Sequence, residues 1–114
     1  MNRGDVYWAD VVPRSGSEQT GRRPVLIVSD DSFNLSRTWQ TLNVVPMTSS
    51  RSQAKRDTTV EIPRGSAGLT ETGFALCHQI TTLDKSKLDR RIGSLPPNLL
   101  EEVRRGIIVA LDLD

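Results

Sequence analysis

The chain has 114 residues, of which 36% are hydrophobic, 25% are charged and one is a cysteine, and its formal net charge is +1. These values are typical of one compact, water-soluble domain, and we expect residues 1–114 to form it. No apolar run approaches the roughly 20 residues of a membrane span, and no apolar signal region follows the N-terminus, so we expect a cytoplasmic protein with no membrane partner. The lone cysteine excludes an internal disulfide and a cysteine-rich zinc site.

The first half of the chain predicts three strands. They are VYWADVV (6–12), which is aromatic and β-branched, RPVLIVSD (23–30), whose continuous apolar run is typical of a strand buried on both faces, and TLNVVPM (41–47). Ser29 or Asp30 is expected to cap a short helical turn between the second and third strands. Pro46 is expected to place the end of the third strand at an edge or a bulge.

The second half predicts more short strands and then one helix. TTVEI (58–62), FALCHQITTL (74–83) and RRIGSL (90–95) are predicted strands, TSSRSQAKRD (48–57) an exposed loop and DKSKLDRR (84–91) a short helix. From Pro97 onward, apolar residues recur at helical spacing with charged residues mostly opposite. We therefore predict a mainly β domain, a small barrel-like sheet closed by a C-terminal amphipathic helix.

Several basic residues lie in the first two thirds of the chain, most of them in predicted loops. Between residues 14 and 64 they are Arg14, Arg22, Arg23, Arg37, Arg51, Lys55, Arg56 and Arg64. Basic loops on a nearly neutral protein suit an anionic ligand such as nucleic acid. The alternative is ordinary solvated charge in loops, which composition alone does not exclude.

Two residues stand where strands meet loops and have side chains suited to phosphate chemistry. Arg23 begins the buried strand directly after the polar loop GSEQTGR (16–22), and Thr48 follows the third strand. A guanidinium on a rigid element can bind phosphate oxygens and the charge that grows on them. Arg23 and Thr48 lie close together only if the second and third strands are neighbours and pair antiparallel. The alternative is that both residues only form turns.

The remaining candidates for chemistry are few. His78 is the one histidine, and strand alternation places it on the apolar face of its predicted strand, where it is either part of the core or turned towards a site. Cys77 is expected to be a small core residue. The sequence has no phosphate-binding glycine loop, no zinc-ligand spacing and no Asp-x-Asp pair that would hold magnesium, so we expect no cofactor and no metal.

Four segments resemble the MazF/PemK toxin ribonucleases. They are RGDVYWADVVP (3–13), GSEQTGRRPVLIVS (16–29), VVPMT (44–48) and HQITTLDKSKL (78–88). The resemblance extends through the terminal helix. It implies an SH3-like barrel of five to seven strands, a homodimer, and a toxin that cuts single-stranded RNA at short sequences without a metal. It also implies a cognate antitoxin partner, and we expect that antitoxin to carry an acidic, partly disordered segment.

The resemblance also assigns site residues by position. The catalytic arginine falls on Arg23, the catalytic threonine on Thr48, and a loop glutamate on Glu18. Gln19 and Gln79 match positions near the RNA groove, and the neighbouring polar side chains complete the RNA-binding candidates: Ser17, Arg22 and Ser49. This chain departs from the resemblance at one position: the resemblance implies an acidic residue where this chain has His78.

The expected reaction needs no metal because the RNA supplies the nucleophile. Its 2′-hydroxyl attacks the neighbouring phosphorus and leaves 2′,3′-cyclic phosphate and 5′-hydroxyl ends. Two other classes stay open. One is a non-catalytic toxin of the same fold that inhibits DNA gyrase through a C-terminal tail with aromatic and small residues, whereas this chain ends ALDLD. The other is a barrel that only binds nucleic acid or protein.

Overall fold

The architecture is that of a computed structural model, which describes residues 1–11, 21–54 and 57–113. The strands are β1 (Asp5–Val11), β2 (Gly21–Ile27), β3 (Thr41–Thr48), β4 (Thr59–Ile62), β5 (Gly73–Leu76), β6 (Thr81–Asp84) and β7 (Leu88–Ser94). The helices are α1 (Asp31–Asn34) and α2 (Pro97–Leu111), and 3₁₀ turns occupy Arg51–Gln53, Cys77–Gln79 and Lys85–Lys87. None of the described helices is long and apolar enough to cross a membrane.

The seven strands form one antiparallel sheet. Along it the order is β4-β5-β3-β2-β1-β7, and β6 pairs with the first half of β3. Within the described residues the two end strands, β4 and β7, do not pair, so the sheet is barrel-like without a closed ring of hydrogen bonds. The predicted fold class, a mainly β barrel-like domain with short helices and a C-terminal helix, is confirmed.

The second strand is buried on both faces, as its continuous apolar run predicts. Leu26 packs in the cluster that α2 covers, whereas Val25 and Ile27 pack in a second cluster with Val44 and Leu83. All three β2 residues have 0% exposure. Because β2 is packed on both of its faces, the residues at its start are attached to a rigid strand.

The C-terminal helix covers the first of these clusters. Leu99, Val103 and Gly106 are its buried residues, at the spacing that the sequence predicts, and Pro97 begins the helix at a position that needs no backbone N–H donor. A Cβ at Gly106 would lie 2.7 Å from the Cys77 sulfur. The helix therefore packs so close to this cysteine that only glycine fits at position 106. Cys77 has 0% exposure, which confirms it as a small core residue.

The segment FALCHQITTL is not one strand, and this prediction is wrong. β5 ends at Leu76, the 3₁₀ turn Cys77–Gln79 follows, and β6 starts at Thr81. Both strands pair with β3, but five residues lie between Ala75 and Thr81, whereas only two residues of β3 lie between their partners Met47 and Val44. The extra residues loop out as the turn. The alternation argument therefore fails for His78, which is exposed rather than in the core.

The prediction for Pro46 is also wrong. β3 continues through Pro46 to Thr48 and has neighbours on both sides, so Pro46 marks neither an edge nor the end of the strand. Pro46 lies opposite Val25 of β2, between Val44, the last residue paired with β6, and Met47, the first paired with β5. On that side no ladder partner requires the N–H that proline lacks.

Three shorter predictions have mixed outcomes. Asp30 caps α1 through a hydrogen bond from the Ser32 backbone N–H to Oδ2 at 2.9 Å, as expected. The predicted helix at 84–91 is only the 3₁₀ turn Lys85–Lys87, after which β7 begins, because β7 pairs with β1. The predicted loop at 48–57 contains the 3₁₀ turn Arg51–Gln53.

Candidate active site

The start of β2 lies beside the end of β3, because the two strands are neighbours and pair antiparallel, which is the condition for Arg23 to meet Thr48. Their register pairs Val25 with Pro46 and Ile27 with Val44. If this register is continued by two residues towards the start of β2, Arg23 lies opposite Thr48. Arg23 Nη1 donates a hydrogen bond to the Met47 carbonyl oxygen at 3.3 Å. The structure therefore brings the two predicted catalytic side chains into one site.

Thr48 is held firmly at the end of its strand. It pairs with Phe74 of β5 and has only 7% exposure. Its Oγ1 accepts a hydrogen bond from the Ser50 backbone N–H at 3.1 Å. A hydroxyl that accepts one bond can still donate its own hydrogen to a bound ligand.

Both residues line an open groove of about 530 Å³. Its described lining residues are Trp8, Arg22, Arg23, Pro24, Met47, Thr48, Ser49, Gly68, Leu69, Thr70, Glu71, Thr72, Gly73, Arg90 and Ile92. Guanidiniums, hydroxyls and an indole make this lining suitable for phosphates and for unstacked bases.

Arg22 lies at the outer side of the groove, where a ligand can reach it. Its guanidinium forms an ion pair with Asp89 of β7 and lies over the Trp8 ring, 5.4 Å from the centroid. The side chains of Arg22 and Asp89 are 50% and 56% exposed. Such a solvated pair contributes about 0–1 kcal/mol to stability, so a phosphate can replace Asp89 at little cost.

A turn packed directly against β7 forms one wall of the groove. At Gly68, where φ is +77°, an added Cβ would lie 2.2 Å from the Ile92 carbonyl oxygen, and at Gly93 it would lie 2.6 Å from the Ala67 backbone. Only glycine permits this contact between backbones. The turn is closed by a hydrogen bond from the Gly65 N–H to the Leu69 carbonyl at 2.9 Å. It presents Glu71 on the groove.

The other predicted site residues differ in how the structure places them. Ser49 lines the groove beside Thr48, whereas Gln79, half-buried in the 3₁₀ turn after β5, is not among the lining residues. Ser17, Glu18 and Gln19 lie outside the described residues. His78 is exposed, and its Nδ1 is 3.0 Å from Thr58 Oγ1.

Sequence reasoning missed most of the lining residues, among them Trp8, Glu71 and Arg90. Trp8 lies opposite Pro24 in the β1–β2 ladder, next to the predicted arginine. An aromatic residue in the strand before Arg-Arg-Pro was a usable signal for a groove wall. Glu71 and Arg90 had no comparable signal, because the turn of Glu71 has no periodic pattern and Arg90 fell where a predicted helix and a predicted strand overlap.

Cys77 is not a candidate nucleophile. Burial raises the pKa of its thiol to about 11, and its sulfur packs against α2 rather than lining the groove. Among the described residues, no group of three or more His, Cys, Asp or Glu side chains could hold a metal ion.

The whole chain matches a known family. A model of the PemK-like, MazF-like toxins of type II toxin–antitoxin systems matches residues 2–111. Endoribonuclease MazF2 of Mycobacterium bovis is 36% identical over 113 residues, which cover 99% of this chain and 98% of the relative. Endoribonuclease MazF of Staphylococcus saprophyticus is 39% identical over 113 residues, which cover 99% of this chain and 92% of the relative.

The fold matches as well. A solved mycobacterial endoribonuclease in complex with its cognate antitoxin is similar with a TM-score of 0.81 and 27% identity, and the match covers 100% of this chain and 97% of that one. The family predicted from sequence is confirmed. The chain therefore belongs to the PemK-like, MazF-like toxins of type II toxin–antitoxin systems, the family of the MazF endoribonucleases.

Proposed function

We propose that this protein is a metal-independent endoribonuclease that cuts single-stranded RNA at a short sequence. The observation that carries the proposal is the placement of Arg23 beside Thr48 on one open groove. The reaction is internal transesterification. The RNA 2′-oxygen forms a bond to phosphorus and the bond from phosphorus to the 5′-oxygen breaks, which leaves a 2′,3′-cyclic phosphate and a 5′-hydroxyl end.

Arg23 and Thr48 act on the charge that develops in this step. The five-coordinate phosphorane carries more negative charge on its non-bridging oxygens than the substrate does. A guanidinium fork and a hydroxyl donor, both fixed before the substrate arrives, stabilise that charge without reorganising. Arg23 contributes the charge and Thr48 a hydrogen bond.

Proton transfer requires a different group. The 2′-hydroxyl loses a proton and the leaving 5′-oxygen gains one. Arginine has a pKa above about 12, so it is a poor base at neutral pH. Glu18 is the catalytic base in this proposal because it is the carboxylate of the loop that leads into Arg23.

The groove also suits recognition of the strand around the cut. Arg22 and Arg90 supply positive charge for flanking phosphates, and the Trp8 indole supplies a surface for an unstacked base. We extend the RNA-binding surface to the remaining sequence candidates: Ser17, Gln19, Ser49 and Gln79.

In the cell the proposed role is that of a cytoplasmic, single-domain toxin that arrests growth by cutting mRNA. We propose a homodimer, since exposed apolar side chains such as Val109 and Leu111 on α2, with 57% and 48% exposure, offer a surface for a second copy. The partner that silences it is a cognate antitoxin, in keeping with the antitoxin bound to the similar mycobacterial endoribonuclease. An acidic antitoxin segment suits a groove lined by arginines.

The direct test uses labelled single-stranded RNA and purified protein in EDTA. We expect cleavage to persist and to leave cyclic phosphate ends, and a 2′-deoxy substitution 5′ of the scissile phosphate to stop cleavage without stopping binding. Dependence on added magnesium would contradict the mechanism. Binding without any cleavage would favour a plain nucleic-acid-binding barrel, and inhibition of DNA gyrase without cleavage would favour the non-catalytic toxin.

A further inference from the structure

Glu71 is the one carboxylate among the described residues that line the groove. Three arginines, Arg22, Arg23 and Arg90, line it as well. No arginine or lysine of the described residues comes within the 4.0 Å that defines an ion pair with Glu71. The Glu71 side chain is exposed. The groove therefore presents an exposed negative charge that its own cations do not neutralise by contact.

The backbone of the turn that carries Glu71 is fixed by contacts on either side of this residue. The close approach of Gly68 to Ile92 and the bond from Gly65 to Leu69 fix the turn on β7. A hydrogen bond from the Arg64 backbone N–H to Thr72 Oγ1, at 3.3 Å, ties the chain on either side of Glu71. The Glu71 side chain therefore extends from a fixed backbone position when RNA enters.

A carboxylate at this position weakens general affinity for RNA, because it repels phosphates. The RNA groups that it attracts are hydrogen-bond donors, since a carboxylate is a pure acceptor. These donors are the 2′-hydroxyls, which every nucleotide carries, and the N–H groups on base edges, which differ from base to base. Cytosine, adenine and guanine each carry an exocyclic amino group. Uracil carries none, and its one N–H donor is flanked by two carbonyl oxygens that a carboxylate repels.

We propose that Glu71 is a specificity-determining residue, which accepts a hydrogen bond from the exocyclic amino group of one base near the cut and thereby rejects uracil at that position. The inference rests on the RNA cleavage proposed above. Glu71 is the one negatively charged side chain of the described lining. Binding to phosphates does not explain it, because it repels them, whereas recognition of a base does. Attraction for the correct base and repulsion of the wrong one both contribute to the discrimination.

The first experiment compares cleavage of a pool of random-sequence single-stranded RNA by the wild type, Glu71→Gln and the control Glu102→Gln, with the ends of the products sequenced. Glu102 is exposed on α2 and does not line the groove. Glu102→Gln therefore makes the same chemical change as Glu71→Gln at a position outside the groove. We expect the wild type and Glu102→Gln to disfavour uracil at one position by roughly tenfold, the usual scale for a base-specific contact. Glu71→Gln should lose that preference and keep its melting temperature.

The second experiment removes the amino group from the RNA instead of the carboxylate from the protein. In a defined substrate the preferred base is replaced by its deamino analogue, which is inosine for guanosine, purine riboside for adenosine or zebularine for cytidine. We expect kcat/KM of the wild type to fall by roughly tenfold and that of Glu71→Gln to stay the same.

The outcomes separate this inference from the proposed function. If the wild type cuts no RNA, the proposed function fails. If it cuts RNA but shows no preference against uracil, or if Glu71→Gln keeps the wild-type preference and the wild-type sensitivity to the deamino analogue, the role of Glu71 is overturned while the cleavage stands.

Discussion

The Arg23 side chain reaches from the start of β2 to the end of β3, where its Nη1 donates to the Met47 carbonyl oxygen at 3.3 Å, one residue before Thr48. This bond limits the movement of the guanidinium relative to the threonine hydroxyl. Buried neighbours further along both strands, Val25 and Val45 among them, hold the two ends in place. The positive charge and the hydroxyl are therefore set at a fixed spacing before any ligand binds.

Replacing Arg23 tests this arrangement. We expect Arg23→Ala to lower the cleavage rate by roughly 100-fold or more, since losing one fixed donor to a developing charge has that effect. Arg23→Lys should remain poor, because one ammonium cannot reproduce a fork of donors. Single-turnover rates measure both changes, with circular dichroism melts to confirm folding. Near-wild-type cleavage by the alanine variant would remove Arg23 from the mechanism.

Replacing Thr48 separates its hydroxyl from its place in the sheet. We expect Thr48→Ala to be nearly as damaging as Arg23→Ala, and Thr48→Ser to retain most activity because it keeps an oxygen at the same carbon. Thr48→Ala also loses the bond from the Ser50 N–H, which costs about 1 kcal/mol of stability. Cleavage rates compared with urea melts distinguish the two effects. Equal rates for the serine and alanine variants would argue against a role for the hydroxyl.

His78 is expected to matter little for stability, contrary to what its alternation with core residues suggests. The side chain is exposed and its described contact is the 3.0 Å approach to Thr58 Oγ1. We expect His78→Gln to change the free energy of unfolding by at most about 1 kcal/mol, the scale of one hydrogen bond. Since His78 does not line the groove, the rate should stay close to the wild type. Loss of cleavage in a normally folded His78→Ala variant would make this histidine part of the chemistry.

Two glycines of one turn form a matched pair for testing the groove wall. Both have positive φ, but an added Cβ meets nothing within 4 Å at Gly65 and lies 2.2 Å from the Ile92 carbonyl oxygen at Gly68. Gly65→Ala should cost only the strain of the left-handed backbone, about 1–2 kcal/mol. Gly68→Ala should cost more than that and should also slow cleavage, because the turn must move off β7. Denaturant melts that show equal losses would contradict the close contact.

Alkaline pH should destabilise the protein through Cys77. Burial raises the thiol pKa from 9.0 to about 11, so the folded state keeps its proton where the unfolded state releases it. The neutral thiol therefore contributes its full stability below about pH 9, and that contribution falls as pH rises towards 11, by about 3 kcal/mol in all. Urea melts across this range should show a steeper loss for the wild type than for Cys77→Ala. Parallel curves would contradict the shift.

Regular patterns made much of this fold predictable. The apolar run of β2 and the spacing of Leu99 and Val103 in α2 follow from local sequence. The antiparallel pairing of β2 with β3 was only a condition for bringing Arg23 to Thr48, because local sequence does not state which strands are neighbours. The break after Leu76 did not follow from local sequence, because apolar residues continue through the 3₁₀ turn and hide the change of period. It depends on β3, which offers β5 and β6 two separate stretches for pairing.

The groove wall was unpredictable for a related reason. Glu71 and Arg90 lie near Arg23 only because a turn seats on β7 through the contacts of Gly68 and Gly93. No local sequence pattern predicts which turn will pack against which strand. The glycines were visible in the sequence, but their partner Ile92 was not.

The pairing of β1 with β7 joins Asp5 to Ser94, two residues 89 positions apart in the chain. Contacts between such distant residues carry a large loop-closure entropy and slow the folding of small domains. We therefore expect β7, which brings Arg90 and Ile92 to the groove, to be among the last strands to join the sheet. Activity during refolding should then appear later than the pairing of β2 with β3. Pulsed hydrogen exchange would reveal this order, with β7 amides protected after those of β3, and simultaneous protection would contradict it. We therefore expect a newly made chain to complete this groove only at the end of folding.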